Sequence, residues 1–318
     1  MSNGCEEGYD ALLEAEAFDC YTEERTRLGQ IPDLRRLAHV NGLFNNPWRE
    51  PAFTEIQIMP KVNFMIDIAK QRGGRVLELG CGMGYLTLEM ARNGLEVDAV
   101  DISQKAIKIA KKYASENPYT NGFGSLQYRV EDITTMKMGN EQYDSVVTFG
   151  TLHHLPNLKR VIPRIYQALK TGGNIILCEP IIENFSWKSA LFAAILRAIL
   201  PTWRPYEEKL AEIMTSEGWK KYVEGIFNEY RRVNEKDEPF QSPFDNAVSS
   251  EKALLDPIRK FFNINEIKYE DAFIDRLIGG IRGEKREMLG QFLKFLDGEL
   301  IREGVLEPTY ILVHGIKR

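Results

Sequence analysis

Between Arg75 and Cys178, short apolar runs alternate with segments of helical spacing. Val76–Leu79, Val97–Val100, Leu126–Val130, Tyr143–Phe149 and Asn174–Cys178 read as strands, and Tyr85–Asn93, Gln104–Ser115 and Leu158–Leu169 as helices. Strands this short and apolar, separated by helices, predict βαβ units and a parallel sheet buried on both faces. Right-handed crossovers then place helices on either side, and ligands bind beyond the carboxyl ends of the strands. The last residue of each strand is the one to inspect for chemistry.

The flanks follow other patterns. Glu6 to Arg27 reads as an acidic helix with Leu12, Leu13, Phe18 and Tyr21 on one side, and His39 to Pro51, rich in Asn, Gly and Pro, as a loop. Ile56 to Lys70 has helical spacing and stops at Gly73-Gly74. After Pro180 the alternation ends. Ser186 to about Asp256 reads as helical, broken at Pro201, Pro205 and the turn region from 235 to 243. A strand over Phe262–Lys268 follows, then an amphipathic helix over Lys285–Arg302 with Leu289, Phe292, Leu293, Leu296 and Leu300 on one face. Alternation over Thr309–Ile316 predicts a closing strand.

Candidate chemistry begins where the first strand breaks into glycines. Glu78 is followed by Gly80, Gly82 and Gly84, a tight turn that lets backbone approach a ligand closely. The dinucleotide fingerprint G-x-G-x-x-G has a different spacing. An acid two residues before G-x-G-x-G suits a ligand with a cationic amino-acid end and no phosphate. Asp101 ends the second strand and Asp132 the third, so acids stand at three successive strand ends. Each has a plainer alternative: Glu78 as a cap of the next helix, Asp101 as an N-cap (Ser103 being better placed), Asp132 as an ordinary strand-end acid.

At this stretch the chain resembles the class I S-adenosylmethionine-dependent methyltransferases, whose first motif reads E/D-x-G-x-G-x-G. The resemblance covers residues from about 72 to 180. It implies an α/β fold: a three-layer, Rossmann-like, seven-stranded sheet with the last strand antiparallel, an N-terminal helical lid and helical insertions around the sixth strand. It implies S-adenosylmethionine as cofactor, with Glu78 at its amino group, Asp101 on the ribose hydroxyls, and Asp132 at the adenine amino group while Ile133 touches the ring. Gly80, Cys81, Gly82, Gly84, Ile102, Phe149, Gly150 and Leu152 complete the expected cofactor site. Phe44, Asn45, Trp48 and Tyr21 are candidates for the lid.

Methyl transfer from a sulfonium needs positioning and, for a hydroxyl or ammonium acceptor, removal of a proton. His153 and Glu179, ending the fourth and fifth strands, are the candidates for that proton, with packing or turn-capping roles as their alternatives. No metal is expected, since Asp144 lies at the wrong end of its strand. The segment Gly150-Thr151-Leu152-His153 replaces the D/N-P-P-Y sequence of nitrogen-directed relatives.

Composition narrows the partners. The chain has 318 residues, 43% hydrophobic, enough for a full core and an added cap. A net charge of -5 disfavours nucleic acid. Its cysteines (Cys5, Cys20, Cys81 and Cys178) form no C-x-x-C pair, and the acidic N-terminus has no signal-peptide core, so a reducing, cytoplasmic location is expected. The longest apolar run, Ser189–Leu200, contains Arg197 and is too short to span a bilayer. Phe185–Lys221, with Trp187, Phe192 and Trp203, could pack as a cap, cover a pocket mouth, dimerise or touch a membrane surface; a homodimer is left open.

The expected organisation is a lid over 1–71, a cofactor-binding core over 72–183, a helical cap over 184–261, and the last core strands with a second insertion over 262–318. The expected function is methyl transfer from S-adenosylmethionine to oxygen, nitrogen or carbon of a small-molecule acceptor. The alternatives are a lipid, quinone or lipid-linked sugar as acceptor, or a non-catalytic S-adenosylmethionine-binding partner subunit.

Overall fold

The computed structural model describes residues 9–234, 236, 239 and 241–318; Cys5, the start of the helix expected from Glu6 and part of the 235–243 turn lie outside them. Seven strands form one sheet: β1 (Arg75–Leu79), β2 (Glu96–Asp101), β3 (Ser125–Val130), β4 (Tyr143–Phe149), β5 (Leu169–Pro180), β6 (Phe262–Glu270) and β7 (Tyr310–Lys317). Their spatial order is β3-β2-β1-β4-β5-β7-β6. The first five run parallel, while β7 is antiparallel to both β5 and β6. The order reverses between β1 and β4, which opens a crevice at the carboxyl ends of the strands.

Successive residues of β1 feed opposite faces. Val76 joins a cluster with α3 (Met59–Arg72) and α4 (Tyr85–Arg92), whereas Leu77 and Leu79 join α6 (Leu158–Ala168) and α10 (Glu251–Arg259). Full burial of such side chains contributes about 1.5–3 kcal/mol each, which fixes the strand's register. The third layer is thus built by helices on both faces. α5 (Gln104–Ser115) covers the outer strands, its amide of Ala106 capped by Ser103 Oγ at 3.0 Å.

The expected 186–256 helical region resolves into α7 (Trp187–Ile199), α8 (Tyr206–Ile213), α9 (Ser216–Tyr230) and α10. A separate apolar cluster joins α7 and α9 to residues 272–281 and to α11 (Arg286–Arg302). The inward face of α7 is its alanines, Ala190, Ala193 and Ala194, while Trp187, Ile195 and Ile199 stay largely exposed. On α11, Leu293 is buried but Phe292 is exposed, so Phe292 does not belong to the packed stripe.

Two features of the N-terminal region differ from the periodicity. The helix expected over Ile56–Lys70 is two helices, α2 (Pro51–Gln57) and α3, because Pro60 lacks an amide hydrogen and restricts the residue before it. α1 (Ala11–Arg27) exposes Leu12 and Leu13 and buries Glu14 and Thr22. Its inward stripe is polar as well as aromatic because it lies over a cavity and not over a core.

Buried charges fasten this cover. Arg92 makes a bidentate pair with Asp33, Nη1 to Oδ1 at 2.8 Å and Nη2 to Oδ2 at 2.9 Å, holding the segment after α1 against α4. Asp19 Oδ1 accepts from the Lys105 amide at 3.0 Å and from Ser103 Oγ, so α1 sits on the start of α5.

Candidate active site

A cavity of about 280 Å³ lies at the carboxyl ends of β1, β2 and β4, roofed by α1. Its wall contains Glu78, Gly80, Cys81, Gly82, Asp101, Ile102, Asp132, Ile133, Phe149 and Gly150. Of the expected cofactor residues, only Gly84 and Leu152 do not face it. Gly84 has φ +84 and packs so closely on Tyr128 and Ala110 that an added Cβ would lie 2.6 and 2.7 Å from them. Leu152 is fully buried in the core beneath.

The glycine turn is held by the neighbouring strand. Gly80 and Cys81 amides donate to Val100 O at 2.8 and 3.0 Å, and the Gly82 amide donates to Asp101 Oδ2 at 2.7 Å. Gly82, at φ +52, would find nothing within 4 Å of an added Cβ. The turn therefore offers bare backbone to the cavity. At Gly80 an added Cβ would fall 2.2 Å from Thr151 Oγ1, so β1 and the segment after β4 meet only because no side chain intervenes.

The strand-end acids are satisfied to different degrees. Asp101 Oδ1 accepts from the Ser103 amide at 2.8 Å, and Ser103 itself caps α5, which leaves Asp101 outside the cap. Burial still holds the Asp101 carboxyl above its usual range, against the Ser103 and Gly82 amides. Asp132 is bound by the Thr134 amide and hydroxyl, both at 2.8 Å, and by Thr135 Oγ1 at 3.1 Å. Glu78 is buried and accepts from Thr87 Oγ1. Burial pushes it up to about 7, with repulsion from Asp101 adding and the Thr87 bond opposing.

The proposed proton acceptors of the sequence stand elsewhere. Neither His153 nor Glu179 lines the cavity. Glu179 is fully buried; its Oε1 accepts from Thr148 Oγ1 and the amides of Thr151 and Leu152, all at 3.0 Å, and its Oε2 meets His153 Nδ1 at 2.9 Å. Although burial works against the charge, His153 and these amides hold Glu179 below its usual range. It is a clamp on the turn after β4. His153 Nε2 receives Arg232 Nη1 at 3.0 Å, so both ring nitrogens are engaged.

The histidine that reaches the cavity is His154. Its Nδ1 lies 3.1 Å from both Glu14 Oε1 and Ser242 Oγ, while Ser242 Oγ donates to Glu14 at 2.7 Å. This arrangement assigns the proton to Nδ1 and leaves Nε2 as the basic nitrogen. Burial and the neighbouring His153 lower the His154 pKa, with Glu14 pulling back, so the ring is neutral near pH 7. Glu14 escaped the sequence reading, although it falls one and two helical turns before Phe18 and Tyr21, on the face already singled out.

Three metal-ligating atoms, from His153, His154 and Asp245, come within 4.8 Å of one another. The Arg232 guanidinium already occupies that place, 3.0 Å from His153 Nε2 and 3.4 Å from Asp245 Oδ1, and supplies the positive charge. A second cavity, about 700 Å³, shares Tyr21, Trp48 and Phe149 with the first. Phe44 and Asn45 line this second cavity, and Trp48 packs on Tyr85 at the seam, centroids 5.0 Å apart.

Residues 77–177 match the family model described as "Methyltransferase domain". That segment is similar to a methyltransferase domain. A mitochondrial ubiquinone biosynthesis O-methyltransferase of Rattus norvegicus is 31% identical over 154 residues, 46% of this chain and 44% of that protein. The ubiquinone biosynthesis O-methyltransferase of Bordetella avium is 34% identical over 127 residues, 39% of this chain and 48% of that one. The match spans less than half the length of these curated relatives. A geranyl diphosphate methyltransferase structure in complex with GPP and sinefungin has a TM-score of 0.54 at 13% identity, covering 96% of this chain and 100% of the other. The [4+2]-cyclase SpnF gives 0.52 at 13% identity, covering 95% and 94%. These likenesses bear on the fold: the Rossmann-like class I methyltransferase fold, with β7 antiparallel.

The Glu78 environment makes a prediction for the domain without ligand. Its folded pKa lies above the unfolded value, so the group costs stability as pH rises from about 4.5 through about 7. A shift of that size corresponds to about 3 kcal/mol at alkaline pH. Glu78→Gln should therefore raise the thermal midpoint at pH 8 and leave it nearly unchanged at pH 4. Equal effects at both values would show that the carboxylate is not strained by burial.

Proposed function

We propose that this protein transfers a methyl group from S-adenosylmethionine to a small-molecule acceptor. The observation that carries the reading is Glu78, a buried carboxylate facing a glycine turn with no cation among the described residues to neutralise it. The α-ammonium of S-adenosylmethionine supplies that charge. Asp101, tied to the turn through Gly82, has the position for the ribose hydroxyls, and Asp132 with Ile133 that for the adenine. Glycine backbone and strand-end acids suit a nucleoside with an amino-acid tail better than a pyrophosphate, which buried acids would repel.

When bound, the cofactor supplies an activated methyl group on a sulfonium. The protein's part is to position the acceptor, exclude water and take a proton where the acceptor has one to lose. His154, oriented by Glu14 and Ser242, is the side chain best arranged for that proton, in place of His153 and Glu179. Residues 1–71 act as the lid, with α1 carrying Glu14, Phe18 and Tyr21 to the cavity, and 184–261 as the cap. Cys20, Cys81 and Cys178 are free thiols, which favours a reducing compartment such as the cytoplasm. Among the described residues no helix is long and apolar enough to cross a membrane.

The matched relatives act in ubiquinone biosynthesis as O-methyltransferases, which favours a hydroxyl as the accepting group over nitrogen or carbon. Isothermal titration with S-adenosylhomocysteine should show binding in the micromolar range, weakened at least about tenfold, or about 1.4 kcal/mol, by Asp101→Ala. Absence of binding, or binding of NAD in its place, would end the proposal. For the proton, His154→Ala should lower kcat by about 10²–10⁴-fold, the usual contribution of a positioned base. An unchanged kcat removes His154 from that role.

A further inference from the structure

We infer that α1 sets the tautomer of His154, so that a basic nitrogen faces the cavity only while the helix is closed over it. The inference rests on His154 as the proton acceptor of the proposed transfer. It makes Glu14 a positioning residue that acts through the imidazole.

Three elements meet at the Glu14 carboxylate. Its Oε1 accepts from Ser242 Oγ at 2.7 Å and lies 3.1 Å from His154 Nδ1, and its Oε2 accepts from the Phe244 amide at 3.3 Å. Ser242 Oγ is also 3.1 Å from that Nδ1. A hydroxyl can give or receive a hydrogen bond, so serine and imidazole alone leave the tautomer open. The carboxylate removes that freedom. It takes the Ser242 proton and turns the serine into an acceptor, and the two oxygens beside Nδ1 then require an N–H there. Nε2 keeps its lone pair. It has no partner among the described residues and is not sealed from solvent, and its ring lines the cavity.

Without Glu14 the balance changes. The segment after α9 stays on the histidine turn, through the Val248 amide to His153 O at 3.0 Å and Arg232 Nη1 to His153 Nε2 at 3.0 Å. Lifting α1 therefore takes the carboxylate away and leaves Ser242 beside Nδ1. The serine hydroxyl is then free to donate to Nδ1, which moves the ring proton to Nε2 and ends its basicity. α1 is also the element able to separate. None of the apolar clusters among the described residues contains one of its side chains, and elements with few apolar contacts open first. Its second anchor is Asp19, on Ser103 Oγ and on the Lys105 amide at 3.0 Å. Ser103 in turn donates its amide to Asp101, the acid proposed for the ribose. One helix thus joins the ribose end of the cofactor cavity to the base. With α1 closed, Nε2 takes the proton as the acceptor's O–H bond breaks, and the resulting imidazolium keeps its Nδ1–H on Glu14.

The test reads the ring nitrogens directly. Full-length protein labelled with 15N-histidine is measured by NMR at pH 7, alone and saturated with S-adenosylhomocysteine. The chain has four histidines, and His154→Gln assigns the signal. In the complex the wild type should carry the proton on Nδ1 with about tenfold preference, the size of one hydrogen bond to a charged group. Glu14→Ala should lose that preference, with Nε2 protonated in about half of the molecules or more. Ser242→Ala, which leaves the carboxylate in place, should keep it. Asp19→Ala loosens α1 without touching the ring and should move the signals of the ligand-free protein toward protonated Nε2; it also decides the matter if Glu14→Ala does not fold. Nδ1 still protonated in Glu14→Ala, a preference lost in Ser242→Ala, or unmoved signals in Asp19→Ala would overturn the inference. Should the wild-type protein fail to bind S-adenosylhomocysteine, the cofactor reading falls, and the ligand-free spectra still decide what sets the tautomer.

Discussion

Three carboxylates at the carboxyl ends of a buried parallel sheet set the terms for everything around them. An ionised acid removed from water must be repaid by donors or cations, and each strand end solves this differently. Glu179 is satisfied entirely from within, by Thr148, by amides of the turn after β4 and by His153. Asp101 is half satisfied, by the amides of Gly82 and Ser103. Among the described residues Glu78 has Thr87 alone and carries the raised pKa that follows. The gradient runs from an acid with every donor in place, which holds the turn, to one that faces the cavity with no cation beside it among the described residues.

The same logic explains the cover. α1 brings Glu14 beneath His154 and Asp19 onto the start of α5, so polar side chains occupy what would otherwise be the apolar stripe of a packed helix. The Asp33–Arg92 pair fastens the segment behind it to α4. Removing one member of a buried pair of this kind costs about 3–5 kcal/mol, because the other charge is left without compensation. The roof of the cavity is thus held by interactions comparable in strength to those of the core.

The sheet was legible because its strands are short, apolar and separated by helices, and Tyr143–Phe149 and Gln104–Ser115 have the bounds their patterns predict. Glycine spacing and acids at strand ends were legible because their chemistry is local. Which histidine faces the cavity was not, since ring direction is decided by partners distant in sequence. His153 and His154 are adjacent, yet one is claimed by Glu179 and Arg232 and the other by Glu14 and Ser242, up to 228 residues apart from one another. Leu12 and Leu13 misled for the converse reason. Their periodicity marks a stripe, but burial depends on whether the facing surface is a core or a cavity, and here Glu14 and Thr22 are the residues turned inward.

The central claim is that Glu78 is a strained acid whose missing partner is the cofactor's ammonium group. Proton release on binding reports this directly. S-adenosylhomocysteine is titrated at pH 7 in buffers of different ionisation enthalpy, with the wild-type protein and with Glu78→Gln. A carboxyl poised near 7 is about half protonated there, and the arriving cation should drive the proton off, so release of about half a proton per site is expected from the wild type and none from the variant. Binding that releases no proton from the wild type, or releases the same amount from Glu78→Gln, would contradict the account.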